Sequence, residues 1–366
     1  MLTKKKYKSR FMRTIKTIFP LLIGIILSIS ACSKDDIMGA DGKAIKNLPG
    51  SLYWYFAGEV GYMDFGSGKY NDKWIGIGPG NSRYDSYDIS WDNKKTLLTM
   101  DVEGAFNFTE RRFVLRDKGA KMDYSSLQDG KNVFDITYEA DDIEITDAHI
   151  SPNEKYLVLD AQHFADMPIT IIDAANGNFI NSWYVKGVSF LNYGIPVWTA
   201  DNTVFFRVGN SVFKSSAADG FKTAPNVFSQ QGISSVTVNP QGTKLAFRKD
   251  RHLWMCNIDG SDMKQITTSE LSEVVSYDGE HRPTFSPDGK YIAFTGASKG
   301  GTPWSDHDYA DGSWVASVGG KYGYIVIIPA DGKMYDLEKK DSGAIWLKQP
   351  DADYAGVPCS ANLIWR

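Results

Sequence analysis

Phe285-Ser286-Pro287-Asp288-Gly289-Lys290-Tyr291-Ile292-Ala293-Phe294 reads as the end of one strand, a turn and the start of a second strand. The pattern recurs in weakened form at Ile150-Ser151-Pro152-Asn153-Glu154-Lys155-Tyr156-Leu157-Val158-Leu159 and at Val238-Asn239-Pro240-Gln241-Gly242-Thr243-Lys244-Leu245-Ala246-Phe247. Degenerate copies stand at Ile89-Ser90-Trp91-Asp92-Asn93 before Leu97-Leu98, and at Trp198-Thr199-Ala200-Asp201-Asn202 before Val204-Phe205-Phe206. In each, a strand stops at a Pro/Asp/Asn/Gly turn and a β-branched or aromatic strand follows at once, which is a tight hairpin.

Downstream of each copy lies a second turn: Asp117-Lys118-Gly119, Ala175-Asn176-Gly177, Ala218-Asp219-Gly220, Ile258-Asp259-Gly260 and Ala330-Asp331-Gly332. Each repeat is therefore four strands, A to D, with short A–B and C–D turns. Such a unit recurring every 40 to 60 residues is a propeller blade. Copies centred on Ser90, Ser151, Thr199, Asn239 and Ser286 give five blades. The chain ends supply the sixth, because Gly61 to Lys69 matches Gly323 to Lys333 as strand C with its turn, and Leu52 to Ala57 is then strand B. Its missing strand A is Asn362-Leu363-Ile364-Trp365-Arg366, which stops where the hairpin turn should come. The expected fold is all-β, a six-bladed β-propeller whose last blade is closed by the C-terminal strand joining the N-terminal strands, which removes the sheet edges. A seventh, degenerate blade would take in Gly343 to Leu347. The repeat resembles the TolB-type, WD-like β-propeller repeat over residues 51–366, a resemblance specific for fold and almost silent about function.

The composition agrees. Among 366 residues are 10 Trp, 19 Tyr and 19 Phe, with 34 Gly and 14 Pro, which suits many short strands and turns. Seven of the 40 Lys/Arg lie between Lys4 and Lys16, so the remainder carries 33 basic against 44 acidic residues, a net charge of −11. Such a body lacks the positive footprint that phosphate neutralisation requires, and nucleic acid is excluded as a partner.

The N-terminus reads as an address. The basic segment precedes an apolar run, Ile18 to Ile29, too short for a comfortable bilayer span. Ile29-Ser30-Ala31-Cys32 resembles the lipobox of bacterial lipoproteins. That resemblance implies a signal peptide over 1–31, cleavage before Cys32, and diacylation (a palmitate-type modification) of Cys32 as the mature N-terminus and membrane anchor. Ser33-Lys34-Asp35-Asp36 looks like the acidic signal that exports some outer-membrane lipoproteins to the cell surface, with a periplasm-facing location as the alternative. With Cys32, the Gly/Asp/Lys-rich stretch to Gly50 makes a flexible tether over 32–50, ahead of the propeller domain at 51–366. Cys256 and Cys359 sit in apolar strand contexts and read as buried thiols.

Function is expected in the connections. Six blades over 316 residues average about 53 each, against roughly 40 to 45 for a plain repeat. The excess falls in 71–86, 103–110, 124–145, 161–168, 185–194, 297–321 and 336–360, all assigned to B–C and D–A connections and therefore to one face. The sharpest insertion interleaves Trp304, Tyr309 and Trp314 with Asp306, His307, Asp308 and Asp311. Flat rings beside carboxylates suit a sugar ring or a protein hot spot, and solvated acids around packing tryptophans are the bland alternative. His163, His281 and Tyr193 fall on the same face as further ligand-binding candidates, and His149 lies near the channel. The Asp residues of the insertion offer oxygens for Ca²⁺, without EF-hand spacing. Converging histidines would instead hold a transition metal, as in the oligogalacturonate lyases, which are propellers too. No ligand motif of that family carries over, so the metal stays unknown. No Gly-x-Ser-x-Gly elbow, His-Glu-x-x-His or phosphate loop is present, and no catalytic residue is nominated. The expectation is a lipid-anchored envelope propeller that binds a glycan or an envelope protein without catalysis, a metal-dependent polysaccharide lyase being the alternative.

Overall fold

The structure is a computed structural model and describes residues 48–56, 59–76, 84–101, 110–118, 133–137, 143–163, 169–183, 193–269, 280–296, 323–337, 339, 342–347, 357–359 and 363–366. Six antiparallel sheets follow one another along the chain. The first blade orders β27 (Ile364–Trp365), β1 (Ser51–Phe56), β2 (Glu59–Asp64) and β3 (Lys69–Gly76) from A to D. The second holds β4 (Tyr84–Ile89), β5 (Lys95–Asp101), β6 (Glu110–Asp117) and β7 (Val133–Thr137). The third holds β8 (Ile143–Ile150), β9 (Tyr156–His163), β10 (Ile169–Asp173) and β11 (Phe179–Trp183). The fourth holds β12 (Tyr193–Trp198), β13 (Thr203–Val208), β14 (Ser211–Ser216) and β15 (Asn226–Ser229). The fifth holds β16 (Ser234–Val238), β17 (Lys244–Lys249), β18 (His252–Asn257) and β19 (Lys264–Gln265). The sixth holds β21 (His281–Phe285), β22 (Tyr291–Gly296), β23 (Gly323–Pro329) and β25 (Ile345–Trp346), with β26 (Pro358–Cys359) also paired to β23. Ile345 and Trp346 pair with Ile327 and Val326, so the Gly343 to Leu347 segment is strand D of the sixth blade and no seventh blade is needed.

The repeated turn is built from one hydrogen-bond set. The hydroxyls of Ser90, Ser151 and Ser286 donate to Asp92, Asn153 and Asp288, and accept the N–H of Lys95, Tyr156 and Tyr291 at 2.8, 3.0 and 3.0 Å. Asn239 does the same work with its amide, donating to Gln241 and accepting from the Lys244 N–H at 2.9 Å. Three residues after the motif Ser, Thr or Asn the backbone is left-handed each time: Asn93, Glu154, Asn202, Gly242 and Gly289 have φ between 57° and 72°. That is the reason for Asn and Gly there. Glu154, which has neither advantage, is tied to Lys95 of the preceding blade.

Among the described residues the core consists of six apolar clusters, one at every blade interface. Side chains alternate between them. In β17, Leu245 and Phe247 pack toward the fourth blade and Ala246 toward the sixth. In β22, Ile292 and Phe294 face the fifth blade and Ala293 the first. Strands buried on both faces read as continuous apolar runs, which is why these segments look uniformly hydrophobic.

Closure takes the expected form. Leu52 and Tyr53 pair with Trp365 and Ile364, and Ser51 and Arg366 exchange both backbone hydrogen bonds. Trp365 fills the interface beside Phe65 and Tyr291 and donates from Nε1 to Pro49 O at 2.6 Å.

The expected one-sided distribution of insertions is corrected. Residues 71–76 and 84–86 are strand, and the connection is only 77–83. Asp117-Lys118-Gly119 is not a tight turn, since β6 ends at Asp117 and β7 begins at Val133, so this insertion lies in a C–D connection on the opposite rim. Lys118 itself keeps the register of its counterparts in the other blades, its N–H donating to Lys94 O, and its ammonium lies 5.0 and 5.5 Å over the Tyr53 and Tyr62 rings of the first blade and donates to Asn93 Oδ1 at 3.1 Å. After Ala330-Asp331-Gly332 the chain likewise does not turn straight back. Its β24 (Tyr335–Asp336) pairs in parallel with β20 (Thr267–Thr268) beyond the fifth blade before strand D forms at Ile345.

Candidate functional site

All six A strands line one central cavity of about 120 Å³. Position two before each motif residue supplies Asp88, His149, Val197, Thr237 and Thr284, and position four supplies Ile195, Ser235 and Arg282; Ile364 and Arg366 come from the closing strand. Five of these strands carry a register shift against strand B at the same height, at 84/86, 145/147, 194/197, 234/237 and 281/284. A bulge there re-aims side chains into the axis. Ser235 and Arg282 take left-handed backbone within two of the bulges, with φ of 47° and 53°.

The cavity holds an ordered charge cluster. Asp88 is fully buried; its Oδ1 accepts the Ile89 N–H at 2.8 Å and Arg366 Nη2 at 3.2 Å, and its Oδ2 accepts the Ile150 N–H at 2.8 Å. Arg366 also donates from Nε to Ile89 O at 2.8 Å and lies 5.1 Å over the Trp91 ring. Burial lowers the Arg366 pKa, and Asp88 opposes that shift. His149 is buried beside this pair with Nδ1 3.8 Å from Asp88 Oδ2, beyond hydrogen-bond range, and its Nε2 has no hydrogen-bond partner. Behind it Asp147 and Asp160 are direct cross-strand partners. Desolvation raises both carboxyls, Asp160 up to about 8 with the charge of Asp147 adding to the effect, while His149 and Arg282 pull Asp147 the other way.

His163, Tyr193 and His281 do share a rim. His163 is the last residue of β9, and Tyr193 and His281 open β12 and β21, so all three stand where B–C and D–A connections leave the sheets. His281 is half-buried, and its carbonyl accepts Thr295 Oγ1 at 3.2 Å. Trp304, Asp306, His307, Asp308, Tyr309 and Trp314 lie outside the described residues, as does Cys32 with the rest of 1–47. The insertion that carries the six has described ends: β22 and β23 stay paired to Gly296 and Tyr324, and 297–322 are the B–C connection of the sixth blade. Among the described residues no three His, Cys, Asp or Glu side chains gather as a metal site, and no helix is long and apolar enough to cross a membrane. Cys256 and Cys359 are buried thiols outside any disulfide, as expected, and burial pushes the Cys256 thiol up to about 12.

The channel residues Asp88, Arg282 and Arg366 were not singled out from sequence. The signal that finds Asp88 and Arg282 is positional: two and four residues upstream of each motif Ser, Thr or Asn, where a channel-facing acid or base replaces an apolar or hydroxyl residue; Arg366 instead occupies the motif position of the closing strand.

Compared with solved structures, the chain is similar to TolB from Acinetobacter baumannii, at 14% identity and a TM-score of 0.51, over 87% of this chain and 68% of that one. The fold is that of a TolB-type β-propeller. Looser likenesses include a TolB-like protein from Agrobacterium tumefaciens (13% identity, TM-score 0.44, 81% of this chain and 95% of that one). Another is an oligogalacturonate lyase solved with manganese (14%, 0.45, 67% and 70%). At these identities the likeness concerns the propeller alone. No protein-family model and no curated protein matches the sequence.

Proposed function

We propose that this propeller is a non-catalytic binding or scaffold module of the cell envelope. It is held to the outer membrane through a diacylated Cys32, facing the cell surface, and receives a glycan or an envelope protein on the rim that carries residues 297–322. One observation supports this reading above the others. The B–C connection takes two residues in the first, fourth and fifth blades (57–58, 209–210 and 250–251) and 26 in the sixth, although β22 and β23 are paired to their ends there as well. A fold that closes this connection with two residues does not need 26. Long insertions on a rigid scaffold are where recognition resides. The insertion's Trp304, Tyr309 and Trp314 supply flat faces with polar edges, and Asp306, His307 and Asp308 supply hydrogen-bonding groups for hydroxyls or amides.

The test replaces 297–322 by Asn-Gly and, separately, makes Trp304→Ala and Trp314→Ala. Each variant is compared with the wild type on a glycan array and in cross-linking pull-downs from envelope fractions. The loop replacement keeps its thermal transition and loses the captured ligand, and at least one Trp variant weakens it. Full retention by the loop-replaced protein would sink the assignment. Palmitate labelling of the wild type, absent in Cys32→Ser, checks the anchor independently.

A further inference from the structure

The rim opposite 297–322 holds the A–B and C–D connections, and the chain enters the fold there. Gly50 lies against Arg366 O at the end of the closing strand and against Pro287 in the A–B turn of the sixth blade. Its carbonyl accepts the Phe65 N–H, at the start of the first blade's C–D turn, at 3.0 Å. Pro49 O is held by Trp365 Nε1, and Leu48 is buried in the cluster between the first and sixth blades.

Among the described residues three large apolar side chains stand exposed, Phe179, Met263 and Met334, at 65, 39 and 62%, and all three are on this rim. Phe179 opens β11 just past the C–D turn of the third blade, and Met263 and Met334 lie in the C–D connections of the fifth and sixth. One exposed Phe or Met needs no explanation. Three in equivalent connections of three blades do, because a flat partner lying across a propeller rim meets several blades at once.

The charges of these turns cancel locally. Lys94, Lys264, Lys290 and Lys333 lie 3.0, 3.1, 3.5 and 2.8 Å from Asp92, Asp262, Asp288 and Asp331 of their own connections. The chain beyond Lys16 carries a net charge of −11 and is repelled by an anionic lipid surface. A rim whose turns neutralise themselves is the part that can approach one.

We infer that this rim is the protein's membrane contact: Phe179, Met263 and Met334 enter the headgroup layer of the bilayer that holds the acyl chains of Cys32, and the 297–322 rim points away from that bilayer. The inference rests on the lipid anchor proposed above. Fifteen residues, 33–47, separate Cys32 from Leu48. Whatever their conformation they span at most about 54 Å, so the rim at which the chain enters meets the lipid surface at an effective concentration of about millimolar. A contact too weak to hold a free protein on the membrane is then sufficient.

The lipidated chain, purified from its membrane, is reconstituted into vesicles of phosphatidylethanolamine and phosphatidylglycerol. Single cysteines introduced as Phe179→Cys, Met334→Cys and, in the β15–β16 connection of the opposite rim, Gln231→Cys carry a bimane fluorophore. Cys256 and Cys359 are buried and stay unlabelled. A lipid with a doxyl quencher near its headgroup is expected to quench bimane at 179 and 334 and to leave 231 unchanged. Phe179→Asp with Met334→Asp, both at exposed positions outside the core, is expected to abolish quenching of a label at Met263→Cys and to keep the thermal transition. The inference is overturned if the lipidated protein shows equal quenching at all labels, quenching at none or at 231 alone, or quenching at 263 that survives the double substitution. If mass spectrometry finds no acyl chain on Cys32, the anchor reading falls and this inference with it, whereas the other failures leave the anchor standing.

Discussion

Arg366→Ala tests how the ring is held shut. The substitution removes the guanidinium from fully buried Asp88, the 2.8 Å bond to Ile89 O and the stacking on Trp91, and leaves Asp88 with only the Ile89 and Ile150 N–H groups. Breaking a buried ion pair from one side costs roughly 3–5 kcal/mol, chiefly through the charge left behind. In a chain of this size that lowers the thermal midpoint by roughly 4–8 °C. The loss should be local as well as global. Since Arg366 and Ser51 exchange backbone bonds, amide exchange should rise first in β1 and β27. Asp88→Asn in the Arg366→Ala background removes the stranded charge and should recover a large part of the cost, giving a coupling of at least about 1 kcal/mol in a double-mutant cycle. Urea unfolding of the four proteins measures the cycle, and exchange mass spectrometry locates the opening. A loss below about 1 kcal/mol for Arg366→Ala, or additive effects of the two substitutions, would show that the clasp is an ordinary surface pair and that the reasoning is wrong.

Asp160→Asn should stabilise the protein in a pH-dependent way. The folded carboxyl keeps its proton up to about 8 and the unfolded one up to about 4, so the folded state binds the extra proton between these values and wild-type stability falls across that window by about 1.4 kcal/mol per pH unit. The Asn variant gains nothing at pH 4 and most at pH 8 in urea melts, and an equal gain at both refutes the assignment. Gly50→Ala should open the same closure as Arg366→Ala, because Gly50 has φ of 68° and an added Cβ would lie 2.0 Å from Arg366 O; circular dichroism melts should show a loss of at least about 1–3 kcal/mol. Cys256 and Cys359 should label with Ellman's reagent only after denaturant is added, and labelling of the native protein within minutes would contradict their burial.

The hairpins were legible because their determinants are local. A Ser, Thr or Asn hydroxyl or amide satisfies the turn within five residues, and the left-handed position three residues on asks for Asn or Gly, so a short window contains the cause and its effect. The closing strand was legible for the same reason, since Asn362 to Arg366 is the first half of a pattern whose second half opens the domain. Asp117-Lys118-Gly119 misled because turn-forming residues do not fix the length of a connection: the three would make an acceptable turn in isolation, yet β6 and β7 are joined by 118–132. The groups that Lys118 meets, the rings of Tyr53 and Tyr62 and the amide oxygen of Asn93, are likewise not shown by anything near it in the sequence.

The channel escaped notice for a related reason. Asp88, within Tyr87-Asp88-Ile89, looks like the solvated residue of an alternating strand, and Arg366 looks like a terminal charge; only closure of the ring puts them 3.2 Å apart. The repeat that reveals the fold also hides this site. Turn chemistry must be the same in every blade, so it survives as a motif, whereas the positions two and four residues upstream face a shared axis where side chains from all six blades meet. Uniform residues there would place like charges together or leave an empty tube. The channel therefore has to break the repeat, and its chemistry sits in the departures: an acid in the second blade, an imidazole in the third and a guanidinium in the sixth, against apolar or hydroxyl residues in the fourth and fifth. Aligning a propeller's blades to find what they share recovers the scaffold. The residues at which the aligned A strands disagree are the ones to test for function.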